Sequence, residues 1–259
     1  MIELRQITAG YSGKAVIHDI SLAFERGTIT GIIGKNGCGK TTLLKTAANL
    51  LRPQAGSVLI NGESVLGMPG KKIAAALSYL PQIREVPNMT VYNLVMHGRF
   101  PYLGFPRIPL EADRKIAKQA MELAGILACR DKNIRELSGG ERQKAYIAML
   151  LAQDTDAVFL DEPTTYLDIN HQLEILELIR QLKKMGKTLV MVVHDLSSAL
   201  CYSDRICLME KGRIAVCDTP DAVFKSGEIE RIFHVACEQV PVKDSRGKRY
   251  VFSLDHAGS

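Results

Sequence analysis

The sequence predicts an α/β fold with a mostly parallel β-sheet core, an N-terminal antiparallel β subdomain and an inserted α-helical subdomain. Predicted buried strands at 28–33, 157–162 (which ends in two acids) and 188–193 alternate with helical patterns, which is typical of parallel strands covered by helices. Apolar residues alternate with polar ones between Ile2 and Phe24 and indicate antiparallel strands. Residues 88–153 have a mostly helical pattern.

Composition places the chain among globular proteins. Its 259 residues are 46% hydrophobic and 24% charged, which suits one large α/β domain. No uncharged apolar run approaches the roughly 20 residues that span a bilayer, and the N-terminus lacks a signal-peptide core. We therefore expect a cytoplasmic protein whose link to a membrane runs through a partner.

Charge and cysteine content narrow the possible ligands. The net charge of +5 and the pI near 8.8 suit a phosphate-rich ligand or nearby anionic lipids. The chain has no dense Lys/Arg tract with interleaved aromatic residues, so nucleic acid is not an expected partner. None of the six cysteines forms a C-x-x-C pair, so most are expected to be small buried hydrophobes.

The segment GKNGCGKTT fits the phosphate-binding pattern G-x-x-x-x-G-K-[ST] and predicts a P-loop NTPase. An apolar strand precedes it and a helical pattern follows, as this loop requires. Glycines let backbone N–H groups approach a phosphate chain, and the helix N-terminus adds a positive dipole end. Lys40 is expected to reach the β- and γ-phosphates of ATP, and Thr41 to bind Mg²⁺. The predicted nucleotide contacts are Gly34, Lys35, Asn36, Gly37, Cys38, Gly39, Lys40, Thr41 and Thr42.

Polar residues that follow buried strands supply the expected hydrolytic groups. Asp161 ends one strand and is expected to hold Mg²⁺, while Glu162 is expected to act as general base on the attacking water. His194 follows the next buried strand and is predicted to bond the γ-phosphate. Gln82 follows a short strand and is expected to complete the Mg²⁺ shell or to orient water.

Ser138-Gly139-Gly140 opens a helix and offers a hydroxyl, bare backbone and a helix N-terminus. One interpretation is an ordinary N-capped helix. The other is a second phosphate half-site in a head-to-tail dimer, where each Ser138 closes over the ATP of the other copy. A catalytic role for Ser138 rests on the second interpretation.

These motifs together resemble the ATP-binding cassette (ABC) family over nearly the whole chain. The resemblance identifies Gly34–Thr42 with Walker A, Gln82 with the Q-loop and Val158–Glu162 with Walker B. It further identifies Leu137–Gln143 with the LSGGQ signature, Tyr166-Leu167-Asp168 with the D-loop, His194 with the switch histidine and Tyr11 with the adenine-stacking aromatic. It thereby places Asp168 and Tyr11 in the nucleotide site.

Three positions depart from the family pattern. Glu141 stands where Gln is common in the signature, and Tyr166 stands where the D-loop usually has a small residue. Cys38 replaces a common Ser or Ala in the phosphate loop, and its thiol is expected to be open to alkylation when nucleotide is absent. None of the three removes a group that the chemistry requires.

Within the family, Gly98–Tyr102 and Asp161–Gln172 resemble the ATPases of iron–siderophore, haem and vitamin B12 importers. This resemblance implies two ATPase copies on the cytoplasmic face of the membrane, a polytopic permease, and indirectly a substrate-binding protein. The alternatives are an ABC ATPase for another transport cargo and a soluble cassette ATPase of iron–sulfur cluster assembly.

The expected organisation is a single ABC ATPase domain over residues 1–259. Residues 1–85 and 155–237 form its core with the antiparallel β subdomain, 86–154 form the helical signature subdomain, and 238–259 form a β-hairpin tail that turns near 243–247.

Two local expectations concern the surface of one helix and of one loop. Asn170–Lys184 is predicted to be an amphipathic helix with Leu173, Leu176, Ile179 and Leu182 facing inward. The aromatic and proline-rich segment 98–106 is predicted to be irregular and exposed, either as a docking surface or as a rigid loop.

Overall fold

The computed structural model describes residues 1–82, 85–243 and 248–254. The chain divides into two compact units. The first unit comprises Met1–Leu66 and Thr188–Ser259, and the second comprises Gly67–Lys187. Across the described ranges, no helix has both the length and the apolar character needed to cross a membrane.

Strands and helices alternate along the chain. The strands are β1 (Ile2–Tyr11), β2 (Lys14–Phe24), β3 (Ile29–Gly34), β4 (Ala55–Ile60), β5 (Glu63–Ser64), β6 (Leu77–Leu80), β7 (Ala157–Asp161), β8 (Thr188–Val192), β9 (Arg205–Glu210), β10 (Arg213–Asp218), β11 (Val235–Pro241) and β12 (Lys248–Leu254). The α-helices are α1 (Lys40–Ala47), α2 (Gly70–Ala76), α3 (Val91–His97), α4 (Glu111–Leu123), α5 (Gly139–Gln153), α6 (Ile169–Lys184), α7 (Leu196–Tyr202), α8 (Pro220–Lys225) and α9 (Glu228–Phe233). Short 3₁₀ turns cover Leu127–Cys129 and Ile134–Glu136.

The first unit contains the predicted antiparallel β subdomain. Its strands are ordered β2-β1-β4-β5, and every neighbouring pair is antiparallel. Ile2 and Leu4 of β1 are buried, as the alternating pattern predicts. Ile7 is buried as well, because an irregularity in the pairing with β2 between Leu4 and Ile7 shifts the alternation by one residue. Strands β11 and β12 pair as the predicted antiparallel hairpin near the C-terminus. Residues 244–247 of its predicted turn lie outside the described residues.

The same unit contains most of the parallel core. Strand β3 lies between β8 and β9 and is parallel to both, while β10 pairs antiparallel with β9. Every residue of β3 and β8 is buried, which explains why these strands read as continuous apolar runs. Helix α1 follows β3 directly after the glycine loop. The prediction of a mostly parallel core sheet is confirmed.

The second unit is mainly helical around one parallel strand pair, β6 and β7. Helices α3, α4 and α5 pack against one another, and α5 also packs on β6. A buried ion pair joins their ends, since Arg99 Nε lies 3.0 Å from Asp113 Oδ1 and Arg99 also donates to Ala152 O at 2.7 Å. Segment 98–106 is irregular as predicted, and Phe105 is fully exposed, but Arg99 anchors its start in the helical core.

One prediction about helix α6 is wrong. Leu173 is 43% exposed, whereas Leu176, Ile179 and Leu182 are buried as expected. Ile175 is fully buried and marks the centre of the apolar face. Because successive residues turn about 100° around a helix, Leu173 points about 200° away from Ile175 and therefore toward solvent. The three-residue spacing between Leu173 and Leu176 therefore does not by itself identify the buried face of α6.

Candidate nucleotide-binding and hydrolysis site

The predicted site residues fall into two sets, one in each unit. The first unit holds Tyr11, Gly34, Lys35, Asn36, Gly37, Cys38, Gly39, Lys40, Thr41, Thr42 and His194. The second unit holds Gln82, Ser138, Gly139, Gly140, Asp161, Glu162 and Asp168.

The phosphate loop runs from the end of β3 to the start of α1. Gly34, Gly37 and Gly39 all have positive φ angles, of 153°, 78° and 104°. A β-carbon on Gly39 would lie 2.6 Å from Ile17 Cγ2, and one on Gly34 would lie 2.4 Å from Met209 O. The glycines are therefore required by both backbone conformation and space. They bring the loop's main chain close to its neighbours without intervening side chains.

The Lys40 side chain folds back into this loop. Its ammonium donates hydrogen bonds to Gly34 O at 2.8 Å and to Lys35 O at 3.1 Å, and the residue is buried. These bonds fix a positive charge against the loop's own main chain. The arrangement concentrates N–H donors and an ammonium group around one loop, which is the chemistry that binds phosphate oxygens.

Cys38 is 6% exposed, and burial raises the pKa of its thiol. Both effects slow alkylation, because only an accessible thiolate reacts. The expectation of an open thiol in the phosphate loop is therefore wrong. Part of this environment comes from a distant segment, which local sequence cannot reveal: the Cys38 carbonyl accepts a hydrogen bond from Gly212 N at 3.1 Å. The Cys38 sulfur lies against Gly34 of the same loop.

Tyr11 and His194 both lie at strand ends in the first unit. Tyr11 is the last residue of β1 and is exposed. His194 is also exposed and follows β8 by two residues. Next to it, Asp195 accepts a hydrogen bond from Ser198 N at 2.8 Å and so caps α7. Stacking by Tyr11 and phosphate contact by His194 stay predictions.

In the second unit, the two predicted acids stand at the end of β7 in different surroundings. Asp161 is 2% exposed, and its Oδ2 accepts a hydrogen bond from the Tyr79 hydroxyl at 3.0 Å. Glu162 is the next residue and has a positive φ of 54°. Its Oε2 accepts hydrogen bonds from Gln82 Nε2 at 2.5 Å and from Thr165 Oγ1 at 3.1 Å.

The structure thus brings Gln82 and Glu162 together within this unit. They share a surface cleft of about 180 Å³ with the first residue of α5. The other residues lining this cleft include Arg142, Thr165 and Tyr166. A carboxylate fixed by two donors beside an open cleft is suitably placed to take a proton from water.

Ser138 caps helix α5 through a reciprocal pair of hydrogen bonds with Glu141. The Ser138 hydroxyl accepts from Glu141 N at 3.3 Å, and Glu141 Oε2 accepts from Ser138 N at 2.9 Å. The Ser138 N–H and hydroxyl hold the pKa of Glu141 below its usual value. The N-capped-helix interpretation is confirmed, and it gives Glu141 a local role. A phosphate contact by Ser138, Gly139 or Gly140 stays a prediction.

Sequence reasoning missed three side chains that touch these groups. Tyr79 donates to Asp161, Thr165 donates to Glu162, and His171 lies 2.7 Å from Asp168 through its Nδ1. Thr165 and His171 each stand three residues after their partner, a spacing typical of turns and helix starts, which could have indicated them. Tyr79 is brought to Asp161 by the β6–β7 pairing, which local sequence does not encode.

Comparison with known proteins identifies the chain. The ABC transporter family model matches residues 17–165. The iron(3+)-hydroxamate import ATP-binding protein FhuC of Bacillus subtilis (strain 168) is 41% identical over 92% of this chain and 90% of its own length. The ferric enterobactin transport ATP-binding protein FepC of Escherichia coli (strain K12) is 38% identical over 90% of this chain and 86% of its own length.

A solved structure shows the same fold. The dimeric structure of MJ0796, a bacterial ABC transporter cassette, matches with a TM-score of 0.75 and 25% identity, over 85% of this chain and 99% of that chain. The family predicted from the motifs is confirmed, and with it ATP binding. The chain belongs to the ABC transporter family and is an ATP-binding cassette ATPase.

Proposed function

We propose that this chain is the ATP-hydrolysing subunit of an importer that takes up an iron chelate, in particular a ferric siderophore. One observation carries the proposal. Relatives whose names specify import of iron(3+)-hydroxamate or transport of ferric enterobactin match this chain over at least 90% of its length at 38–41% identity. Haem and cobalamin are the other possible cargoes within the group of importers that the motifs resemble.

The proposed assembly contains two copies of the chain under a polytopic permease, at the cytoplasmic face of the membrane. A substrate-binding protein would deliver the cargo to that permease. The dimeric structure of the MJ0796 cassette supports a two-copy arrangement. In each half of a head-to-tail pair, the P-loop of one copy and Ser138, Gly139 and Gly140 of the other would enclose one ATP.

For nucleotide binding, we assign the phosphates to the main chain of Gly34–Thr42 and to Lys40, and the adenine to Tyr11. Asp168 would complete the nucleotide contacts. Thr41, Gln82 and Asp161 would supply the ligands of Mg²⁺. Hydroxyl, amide and carboxylate oxygens are the hard donors that Mg²⁺ prefers, so this donor set fits the ion. When bound with ATP, Mg²⁺ neutralises charge that develops on the phosphate oxygens.

For hydrolysis, Glu162 is assigned as the base that accepts a proton from the attacking water. Gln82 and Thr165 hold its Oε2 and thereby set the direction of the carboxylate. His194 would bond the γ-phosphate, and Lys40 would balance its negative charge. Ser138 of the second copy would close the site from the other side. Most of this work is positioning and charge stabilisation, as expected for phosphoryl transfer.

We also propose a division of the domain into three parts. Residues 1–85 and 155–237 would form the core with the antiparallel β subdomain, 86–154 the helical signature subdomain and 238–259 the tail. Segment 98–106 would then belong to the helical part. Its exposed Phe100, Tyr102 and Phe105 suit a docking surface or a rigid loop.

Reconstitution tests the proposed function. The chain would be co-expressed with a candidate permease, purified and placed in proteoliposomes with a binding protein. We expect ATP hydrolysis to be stimulated when the binding protein carries a ferric siderophore, and Glu162→Gln to give a stable ATP-bound dimer without turnover. Stimulation by a cargo that contains no iron chelate would overturn the assigned cargo. Wild-type turnover by Glu162→Gln would overturn the assigned base.

Besides an ABC ATPase for another transport cargo, the alternative is a soluble cassette ATPase of iron–sulfur cluster assembly. Affinity purification of the tagged chain from detergent-solubilised cells distinguishes the two. A polytopic membrane protein that co-purifies in stoichiometric amount supports import. Recovery of soluble scaffold proteins in its place would contradict it. A Lys40→Ala variant is the matched control for nucleotide-dependent association.

A further inference from the structure

His171 lies between two groups that the motifs place in the nucleotide site. Its Nδ1 is 2.7 Å from Oδ2 of Asp168, and because a carboxylate only accepts, this nitrogen carries the proton. On its other side the ring contacts Gly140. A β-carbon on Gly140 would lie 1.9 Å from His171 Cδ2 and 2.5 Å from its Nε2. One imidazole therefore touches both Asp168 and the first turn of α5.

The two oxygens of Asp168 have separate tasks. Oδ1 accepts from the backbone N–H of His171 at 3.0 Å and caps helix α6, a bond that any residue except proline can make at position 171. Oδ2 is held by the imidazole, which only this side chain provides. The N–H groups of His171 lower the pKa of Asp168, so the carboxylate is ionised at neutral pH. The imidazole of His171 thus makes a hydrogen bond to Asp168 that capping of helix α6 does not require.

Two other bonds connect the same parts of the second unit. Lys144 Nζ lies 2.6 Å from Glu174 Oε2 and joins α5 to α6 at the surface. Gln143 Nε2 donates to Pro163 O at 2.6 Å and joins α5 to the loop before α6. Neither bond reaches Gly139 or Gly140. Among these three connections, only the contact through His171 reaches the glycines at the start of α5.

We propose that His171 is a positioning residue that couples Asp168 to Gly140 and so sets the position of the α5 N-terminus for catalysis. The inference rests on the proposed function, in which this N-terminus closes over the ATP of a second copy. A glycine at 140 lets the helix start lie directly on the ring. Any displacement of Asp168 is then passed through the ring to Gly139 and Gly140, so the loop that ends at Asp168 and the signature move together.

Two variants test the contact of His171 with Gly140 and its contact with Asp168 separately. His171→Asn keeps an N–H donor near Nδ1 but loses the ring surface that contacts Gly140. His171→Phe keeps a ring but has no donor for Asp168. We expect each to lower kcat for ATP hydrolysis by about 10- to 100-fold, because catalysis depends steeply on geometry. KM for ATP should stay within about two-fold of wild type, because the P-loop that binds ATP is unchanged.

Glu174→Gln is the matched control. It removes the negative charge from the other α5–α6 side-chain pair, which is partly exposed and therefore weak, and leaves Asp168, His171 and Gly140 unchanged. We expect a wild-type kcat. A wild-type kcat in either His171→Asn or His171→Phe would overturn the proposal. An equal loss in Glu174→Gln would also overturn it, because general loosening of the two helices would then explain the effect.

A thermal double-mutant cycle tests the contact without using activity. Gly140→Ala should lower Tm because its methyl group collides with the ring, and combining it with His171→Ala should recover part of that loss. No recovery would overturn the proposal. A wild-type chain that hydrolyses no ATP would overturn the proposed function instead, whereas this cycle decides the His171–Gly140 contact in either case.

Discussion

Gln82 donates a 2.5 Å hydrogen bond to the carboxylate of Glu162, although 80 residues separate them in the sequence. Thr165 donates to the same oxygen, Oε2, at 3.1 Å. Two donors on one oxygen hold the carboxylate in a single orientation. The assigned base is therefore positioned by its neighbours as well as by strand β7.

Gln82→Ala removes the shorter of these two hydrogen bonds. We expect kcat for ATP hydrolysis to fall about 10-fold, because the base loses orientation. ATP affinity measured without Mg²⁺ should stay within about two-fold of wild type, because the P-loop is intact. Steady-state kinetics and nucleotide titration measure both quantities. Thr165→Val should act in the same direction, and Gln181→Ala on the exposed side of α6 is the control. An unchanged kcat in Gln82→Ala would show that this bond does not orient the base.

Lys40→Ala removes the ammonium group from the phosphate loop. We expect ATP affinity to fall about 10- to 100-fold, because charge-assisted hydrogen bonds contribute about 1.5–3 kcal/mol and the carbonyls of Gly34 and Lys35 lose their donor. Calorimetric titration with a non-hydrolysable ATP analogue measures this change. Lys45→Ala on the same helix should bind like wild type. Equal loss in both variants would point to net charge rather than to a specific contact.

The reciprocal bonds between Ser138 and Glu141 predict a pH-dependent contribution to stability. The pKa of Glu141 is lowered from 4.5 in the folded chain, so its stabilisation is complete above about pH 4.5 and is lost as pH falls through the lower folded value. Ser138→Ala should cost about 1 kcal/mol of unfolding free energy at pH 7.

Glu141→Gln is the informative comparison for this cap. Its amide oxygen can still accept from Ser138 N, so we expect stability near that of wild type at pH 7. Below pH 4.5 the variant should lose less stability than wild type, because it has no carboxyl group to protonate. Urea unfolding at pH 7 and pH 4 measures the difference. Parallel losses in both proteins would show that this cap does not contribute to acid sensitivity.

The cysteines should react at different rates. A hydrogen bond from Cys207 and the charge of Arg205 lower the pKa of Cys217 to about 7, whereas burial raises the pKa of Cys38. Cys217 is half-buried, so its thiolate is partly accessible. We expect iodoacetamide at pH 7.5 to modify Cys217 several-fold faster than Cys38, as followed by peptide mass spectrometry. Cys217→Ser should remove the fast phase, and faster modification of Cys38 would contradict the burial seen here.

Local sequence predicted much of this protein because the relevant signals are short-range. The glycine pattern at 34–42, the buried strands and the helix start at Ser138-Gly139-Gly140 each depend on neighbours within a few residues. The error at Leu173 has the opposite origin. Its spacing from Leu176 fits an apolar face, but the face that is buried is centred on Ile175, and only packing against the rest of the unit decides that.

The sequence by itself determined the α/β class, the phosphate loop, the strand-end acids and the family, because these depend on residue type and spacing along the chain. The tertiary structure alone decided which distant side chains meet. It joined Tyr79 to Asp161 and Gln82 to Glu162, placed His171 on Gly140, and buried Cys38. The physical reason is that strand pairing and helix packing fix distances between residues far apart in the sequence, whereas local pattern constrains only the few residues within a turn or a strand.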